Sequence, residues 1–239
     1  MNVDSYRTKV LAIRDGIGLA LASVVVALVS VLAISLGLQA LGWFGTGAGF
    51  VVQYTAIQVG FLPLALAYLS LRGRRWSSVD VRRPTVRDFG WILLIPILLA
   101  GVSLVLEPLL SVLGLPAAEA PATETPDVLD NPALLLLVFV WWYLVAAPSE
   151  ELLFRGVIQG RLRETFGAAS GVVLASLVFV IPHVAFVLID GGVSVTVLTQ
   201  AIQTFVGGLA FGAAYERTAN LAVPAVGHAT MWTMLLFVV

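Results

Sequence analysis

The residues Glu150, Glu151, Arg155, His183 and His228 have the types and spacing that acid–base chemistry requires. Adjacent carboxylates on a helix diverge by about 100°, so Glu150 and Glu151 cannot share one partner. Glu151 and Arg155 stand at i and i+4 with the acid N-terminal to the base, the favourable order for an ion pair along a helix. That pairing neutralises both groups and leaves Glu150 without a local counter-charge, which makes it a candidate general base. The chain contains only two histidines. His183 closes the run Phe179-Val180-Ile181-Pro182-His183, and His228 lies in Val226-Gly227-His228-Ala229. An imidazole beside a carboxylate can hydrogen-bond the same water and pass a proton onward. The absence of cysteine excludes disulfides, thiolate metal sites and a cysteine nucleophile.

Composition places these groups in a membrane. With 59% hydrophobic and 11% charged residues, 239 residues cannot form a soluble globule, which needs more charge on its surface. Mean hydropathy is +1.00. The first apolar run exceeds a signal-peptide core and lacks a small-x-small cleavage site, so it reads as a retained helix. A transmembrane helix takes about 20 residues. The expected architecture is an all-α membrane bundle of about seven transmembrane helices, near 16–41, 50–71, 89–113, 132–160, 169–190, 194–214 and 221–239. The net charge of −1 is uninformative, but the thirteen basic residues fall on one side of this arrangement. Arg7, Lys9 and Arg14 precede the first span. Arg72, Arg74, Arg75, Arg82, Arg83 and Arg87 follow the second, Arg155, Arg161 and Arg163 end the fourth, and Arg217 follows the sixth. The loop 114–131 carries no base and has Glu119, Glu124, Asp127 and Asp130. Basic residues accumulate in cytoplasmic loops, so the N-terminus is expected in the cytoplasm and the C-terminus outside a multi-pass cell-membrane protein.

Ionisable groups at membrane depth are costly and mark function. Besides the residues above there are only Glu107, next to Pro108 near the outer loop, and Asp190 at the outer edge. Helical rise from the cytoplasmic ends puts Glu150 and His183 about 20 Å deep and His228 about 12 Å, so the three can meet in one cavity open to the cytoplasm. Pro148, Pro182 and Pro224 accompany the three positions, and a helix-interior proline frees a carbonyl that protein or cavity water must meet.

In order along the chain, Glu150-Glu151-Leu152-Leu153-Phe154-Arg155 reads as EExxxR, Phe179 to His183 as FxxxH, and His228 opens a last histidine motif. Together with Gly212-Ala213-Ala214-Tyr215-Glu216-Arg217-Thr218-Ala219-Asn220 they resemble the CPBP family of intramembrane proteases, which includes the type II CAAX prenyl endopeptidases and bacteriocin-processing and immunity proteins. The resemblance covers 131–239 as the catalytic core and leaves 1–130 as three N-terminal helices and an outer loop. It implies an endopeptidase in which Glu150, helped by His183, activates water, His228 holds the oxyanion, and Glu151 with Arg155 braces the helix. The implied partners are the lipid bilayer and a membrane-associated peptide or protein, one possible class being a prenylated C-terminus, with no nucleic acid and no required cofactor. Trp232 departs from the pattern, which places Asn or Asp four residues after the histidine. Its indole N–H either serves as a replacement donor or merely packs.

Rival readings are a zinc site built from the two histidines and a glutamate, a non-catalytic scaffold or immunity protein, and a proton-coupled carrier. No HExxH pair exists and no internal repeat supports a carrier. Thr196, Thr199, Gln200, Gln203 and Gly207 share one face of the sixth span, either as cavity lining or as interhelical packing aided by Gly208 and Gly212 in a GxxxG spacing.

Overall fold

The computed structural model describes residues 3–73, 79–115 and 130–238. Arg74, Arg75, Glu119, Glu124 and Asp127 lie outside the described residues. The architecture is all-α, with no strand among the described residues: α1 Val3–Ala40, α2 Gly47–Val59, α3 Phe61–Leu71, α4 Val86–Val112, α5 Pro132–Phe166, α6 Ala168–Gly191, α7 Val195–Thr218 and α8 Ala222–Val238. Helices α2 and α3 form one apolar span across a break at Gly60, so six spans are long and apolar enough to cross a membrane. The seventh expected span is α8, whose 17 residues rise about 25 Å. The chain is a multi-pass membrane protein.

The exposed surface shows what surrounds it. Leu21, Val25, Val29, Leu32 and Leu36 form a stripe along α1, each more than half exposed. Such a row of aliphatic side chains is at rest only against lipid. The most enclosed span is α7, packed along α6 through Gly208 and Gly212. A Cβ at Gly208 would meet Ser176 at 2.9 Å, and one at Gly212 would meet Gln159 at 2.8 Å. The polar face of α7 turns inward: Thr199 and Thr204 are buried, and Gln200 donates to Thr204 at 2.9 Å. These contacts fit the packing alternative for this face.

The start of α1 and the setting of Pro224 differ from the sequence expectation. Helix α1 starts at Val3 rather than near 16, so Arg7, Lys9 and Arg14 ride on its first turns, because a helix satisfies its own backbone inside and outside the apolar layer. The expected proline disturbance beside His228 is absent, because Pro224 sits in the first turn of α8, where an N–H has no helical acceptor to lose.

Basic residues gather at one end of the bundle. Arg72 pairs with Asp15 across α3 and α1. Between α3 and α4, Arg82 grips Asp88 with two bonds of 2.7 and 3.0 Å and donates to the Thr218 carbonyl at 2.7 Å. The Asp80 carbonyl accepts from Leu221 N–H at 2.8 Å, and Val79 inserts beside Gly156 of α5. This strap ties the start of α4 to the α7–α8 turn and to the helix that carries the glutamates.

Gly167 joins α5 to α6 at φ 85 and ψ 168, a conformation closed to residues with a Cβ. Gly167→Ala is expected to lower stability by about 1–3 kcal/mol in thermal melts of the solubilised protein. Gly18→Ala, whose new methyl group meets nothing within 4 Å, should leave the melt unchanged or slightly higher.

Candidate active site

Helix α5 carries the glutamates and is not regular. It widens into π-helical turns at Trp142–Ala146 and Leu152–Gln159, with a short α segment, Ala147–Glu151, between them. Pro148 is the second residue of that segment, and π turns accommodate the missing N–H while re-aiming side chains. Ser149, Glu150 and Glu151 are all buried, as is Arg155.

The two carboxylates fork to different helices. Glu150 faces α6, with its Oε1 3.5 Å from His183 Nε2. The opposite nitrogen, His183 Nδ1, donates to the Phe179 carbonyl at 2.9 Å, since a carbonyl can only accept. Glu151 faces both along its own helix and across to α8. Its Oε2 accepts from Arg155 Nε at 2.9 Å and its Oε1 from His228 Nδ1 at 2.8 Å. The expected i, i+4 pair is therefore present but incomplete as an account of Glu151, which also orients a histidine from seventy-seven positions away.

Aromatic rings enclose the charges. The Arg155 guanidinium lies 4.5 Å from the Phe179 ring centroid and 5.8 Å from that of Phe211. Cation–π attraction of this kind strengthens when solvent is excluded. Phe211 stacks on the His228 ring at 4.4 Å and 22°, while Phe179 packs at 4.5 Å from His183. Trp232 lies 4.2 Å from the His228 ring and 5.8 Å from Trp142. This contact fits the packing alternative for Trp232. Exposure is uneven: the His183 side chain is 29% accessible and Glu150 5%, whereas Glu151 and Arg155 are at 0%. Of these groups His183 is the most accessible.

Glu107 is exposed on α4. The side chain of Asp190 lies outside the described residues. Among the described residues no three His, Cys, Asp or Glu side chains converge as metal ligands, because the donors are divided into a Glu150–His183 pair and a Glu151–His228 pair. Sequence reasoning overlooked the enclosing role of Phe179 and Phe211 and the buried Gln159. Gln159 was within reach, since it stands at i+4 from Arg155 on the same face. Phe211 was not, because nothing in its apolar neighbourhood on α7 marks a contact to α8.

Breaking a buried ion pair leaves an uncompensated charge, at a cost on the order of 3–5 kcal/mol. Arg155→Ala should therefore reduce the yield of monodisperse protein and its melting temperature. The double substitution Glu151→Gln with Arg155→Met, which removes both charges, should recover part of the loss.

No curated protein and no solved structure matches the chain. Residues 132–234 match the sequence model described as type II CAAX prenyl endopeptidase Rce1-like, over a stretch running from the start of α5 into α8. The order of the glutamate pair, the α6 histidine and the α8 histidine agrees with that match, and residues 132–234 of this chain are similar to the CAAX-type, CPBP family of membrane proteases.

Proposed function

We propose that the chain is an intramembrane endopeptidase in which Glu150 and His183 activate a water for attack on a peptide carbonyl. The observation that supports this most is the Glu150–His183 pair itself, 3.5 Å apart and held from behind. Because Nδ1–H of His183 is committed to the Phe179 carbonyl, the neutral ring turns a lone pair at Nε2 toward the carboxylate. Two acceptors do not bond one another. A water that donates one hydrogen to each satisfies both and keeps its oxygen lone pairs free. As that oxygen bonds to the carbonyl carbon, Glu150 takes the proton and the carbonyl electrons move to oxygen. When the intermediate collapses, the C–N bond breaks and the proton passes by way of His183 to the leaving amine.

His228 and Glu151 support this chemistry in a second way. With Nδ1–H bound to Glu151, the ring is fixed and Nε2 is the atom left to act. When Nε2 carries a hydrogen, it donates to the developing oxyanion. Arg155 holds Glu151 and makes no contact with substrate in this scheme. Its burial under Phe179 and Phe211 fits a positioning role. The substrate class is a membrane-associated peptide or protein, of which a prenylated C-terminus, as in the family's name, is one member. The basic end of the bundle is assigned to the cytoplasm.

Membranes containing the wild-type chain should generate new peptide C-termini detectable by proteomics, and membranes with Glu150→Gln should not, at equal yield of folded protein. Equal profiles would remove the base assignment and favour a scaffold, a reading that the packing of Trp232 onto His228 also accommodates. Topology is accessible because the chain has no cysteine. In intact cells an impermeant thiol reagent should label Asp130→Cys and spare Arg83→Cys, and the reverse pattern would invert the orientation.

A further inference from the structure

Gln159, one turn beyond Arg155 on α5, is fully buried and has a fixed amide. Its Nε2 donates to the Gly212 carbonyl and to Glu216 Oε1, each at 3.1 Å. Both partners accept from that nitrogen, so Oε1 must point the other way. There it has no donor among the described residues. Arg155 presents the complementary condition: Nε is bound to Glu151, while Nη1 and Nη2 are buried without an acceptor among the described residues. Gly212 leaves the space that Gln159 Oε1 occupies, since a Cβ there would lie 2.8 Å from that oxygen. Unpartnered donors and an unpartnered acceptor thus stand one turn apart on one helix face, beneath Phe211 and Gly212 of α7. Buried polar groups in folded proteins are as a rule hydrogen-bonded.

We propose that a water is bound between Arg155 and Gln159, accepting from the guanidinium Nη atoms and donating to Gln159 Oε1. Water fits both sides at once. An anion would accept from Arg155 but be repelled by the amide oxygen, and a metal cation would meet the reverse conflict. Internal waters typically satisfy about three polar atoms that lack other partners, and Nη1, Nη2 and Oε1 are three such atoms one turn apart on α5. The bound water completes a hydrogen-bonded row from His228 through Glu151, Arg155 and Gln159 to Glu216, which meets Arg163 at 3.2 Å. Arg163 is 53% exposed at the basic end of the bundle. The row anchors the Arg155 charge from its free side and connects the buried centre to solvent without passing the Glu150–His183 pair. It goes beyond the proteolytic reading and does not depend on it.

Hydroxyl-radical footprinting of the solubilised full chain tests the site, because radicals formed by X-rays oxidise buried side chains that lie beside bound water. Phe211 and Phe154 are comparably buried, at 1% and 0% exposure, but of the two only the Phe211 ring lies against the Arg155 guanidinium, at 5.8 Å. Phe211 is expected to be oxidised several-fold faster than Phe154. Gln159→Leu should bring it down to the Phe154 rate, and Gln159→Glu, which keeps an acceptor, should preserve it. Equal rates in the wild type, or a Phe211 rate untouched by Gln159→Leu, would overturn the proposal. Where Gln159→Leu does not fold, density maps of the wild type that resolve ordered water decide. A peak within bonding distance of Arg155 and Gln159 upholds the site, and a dry gap removes it. Neither readout requires turnover, so loss of the proteolytic reading would leave this result standing.

Discussion

The carboxylate of Glu151 is the group on which the rest of the centre depends. It is fully enclosed, and its two oxygens are bound in different directions, one to Arg155 on its own helix and one to His228 on α8. A carboxylate can enter a low-dielectric layer only when its charge is matched and its lone pairs are occupied. Those requirements fix the distance between α5 and α8, the rotamer of Arg155 and the ring orientation of His228 together. Charge pairs of this kind add little to net stability relative to apolar replacements, so their value lies in specifying one arrangement.

Around that carboxylate the apolar packing has two jobs. Phe179 and Phe211 cover the guanidinium, and the same two rings lie against the two histidines. Excluding water strengthens every charge interaction inside the cover. The rings also connect α6 and α7 to the charged helix, so that a shift in either helix would be felt at His183 or His228. Helix α7 can lie this close because Gly208 and Gly212 present no side chain to Ser176 and Gln159.

The helices before residue 130 belong to the same assembly as those that carry the charges. Val79 fills the space beside Gly156, the Asp80 carbonyl caps the start of α8 through Leu221 N–H, and Arg82 occupies the last carbonyl of α7 through Thr218. The left-handed Ala219, at φ 45, lies in the turn that this strap holds. A non-glycine residue keeps that conformation only where its surroundings enforce it. Residues far upstream of the glutamates thus set the spacing between α7 and α8.

The sequence by itself determined the membrane class, the helical spans and the five ionisable positions, because each depends on local quantities. Apolar run length decides whether a segment can cross a bilayer. The i, i+4 spacing of Glu151 and Arg155 decides that they can pair, and the scarcity of charge at depth singles out Glu150, His183 and His228. What only the tertiary structure decided is the assignment of partners. Two adjacent glutamates point about 100° apart whatever the fold, but which of them meets α6 and which meets α8 depends on how π turns rotate α5 and on where those helices dock. For the same reason Phe211 was invisible as part of the centre: an aromatic ring has no sequence signal apart from the groups packed against it. The start of α1 escaped the sequence too, since hydropathy locates the edge of the apolar layer while backbone hydrogen bonding lets the helix continue past it.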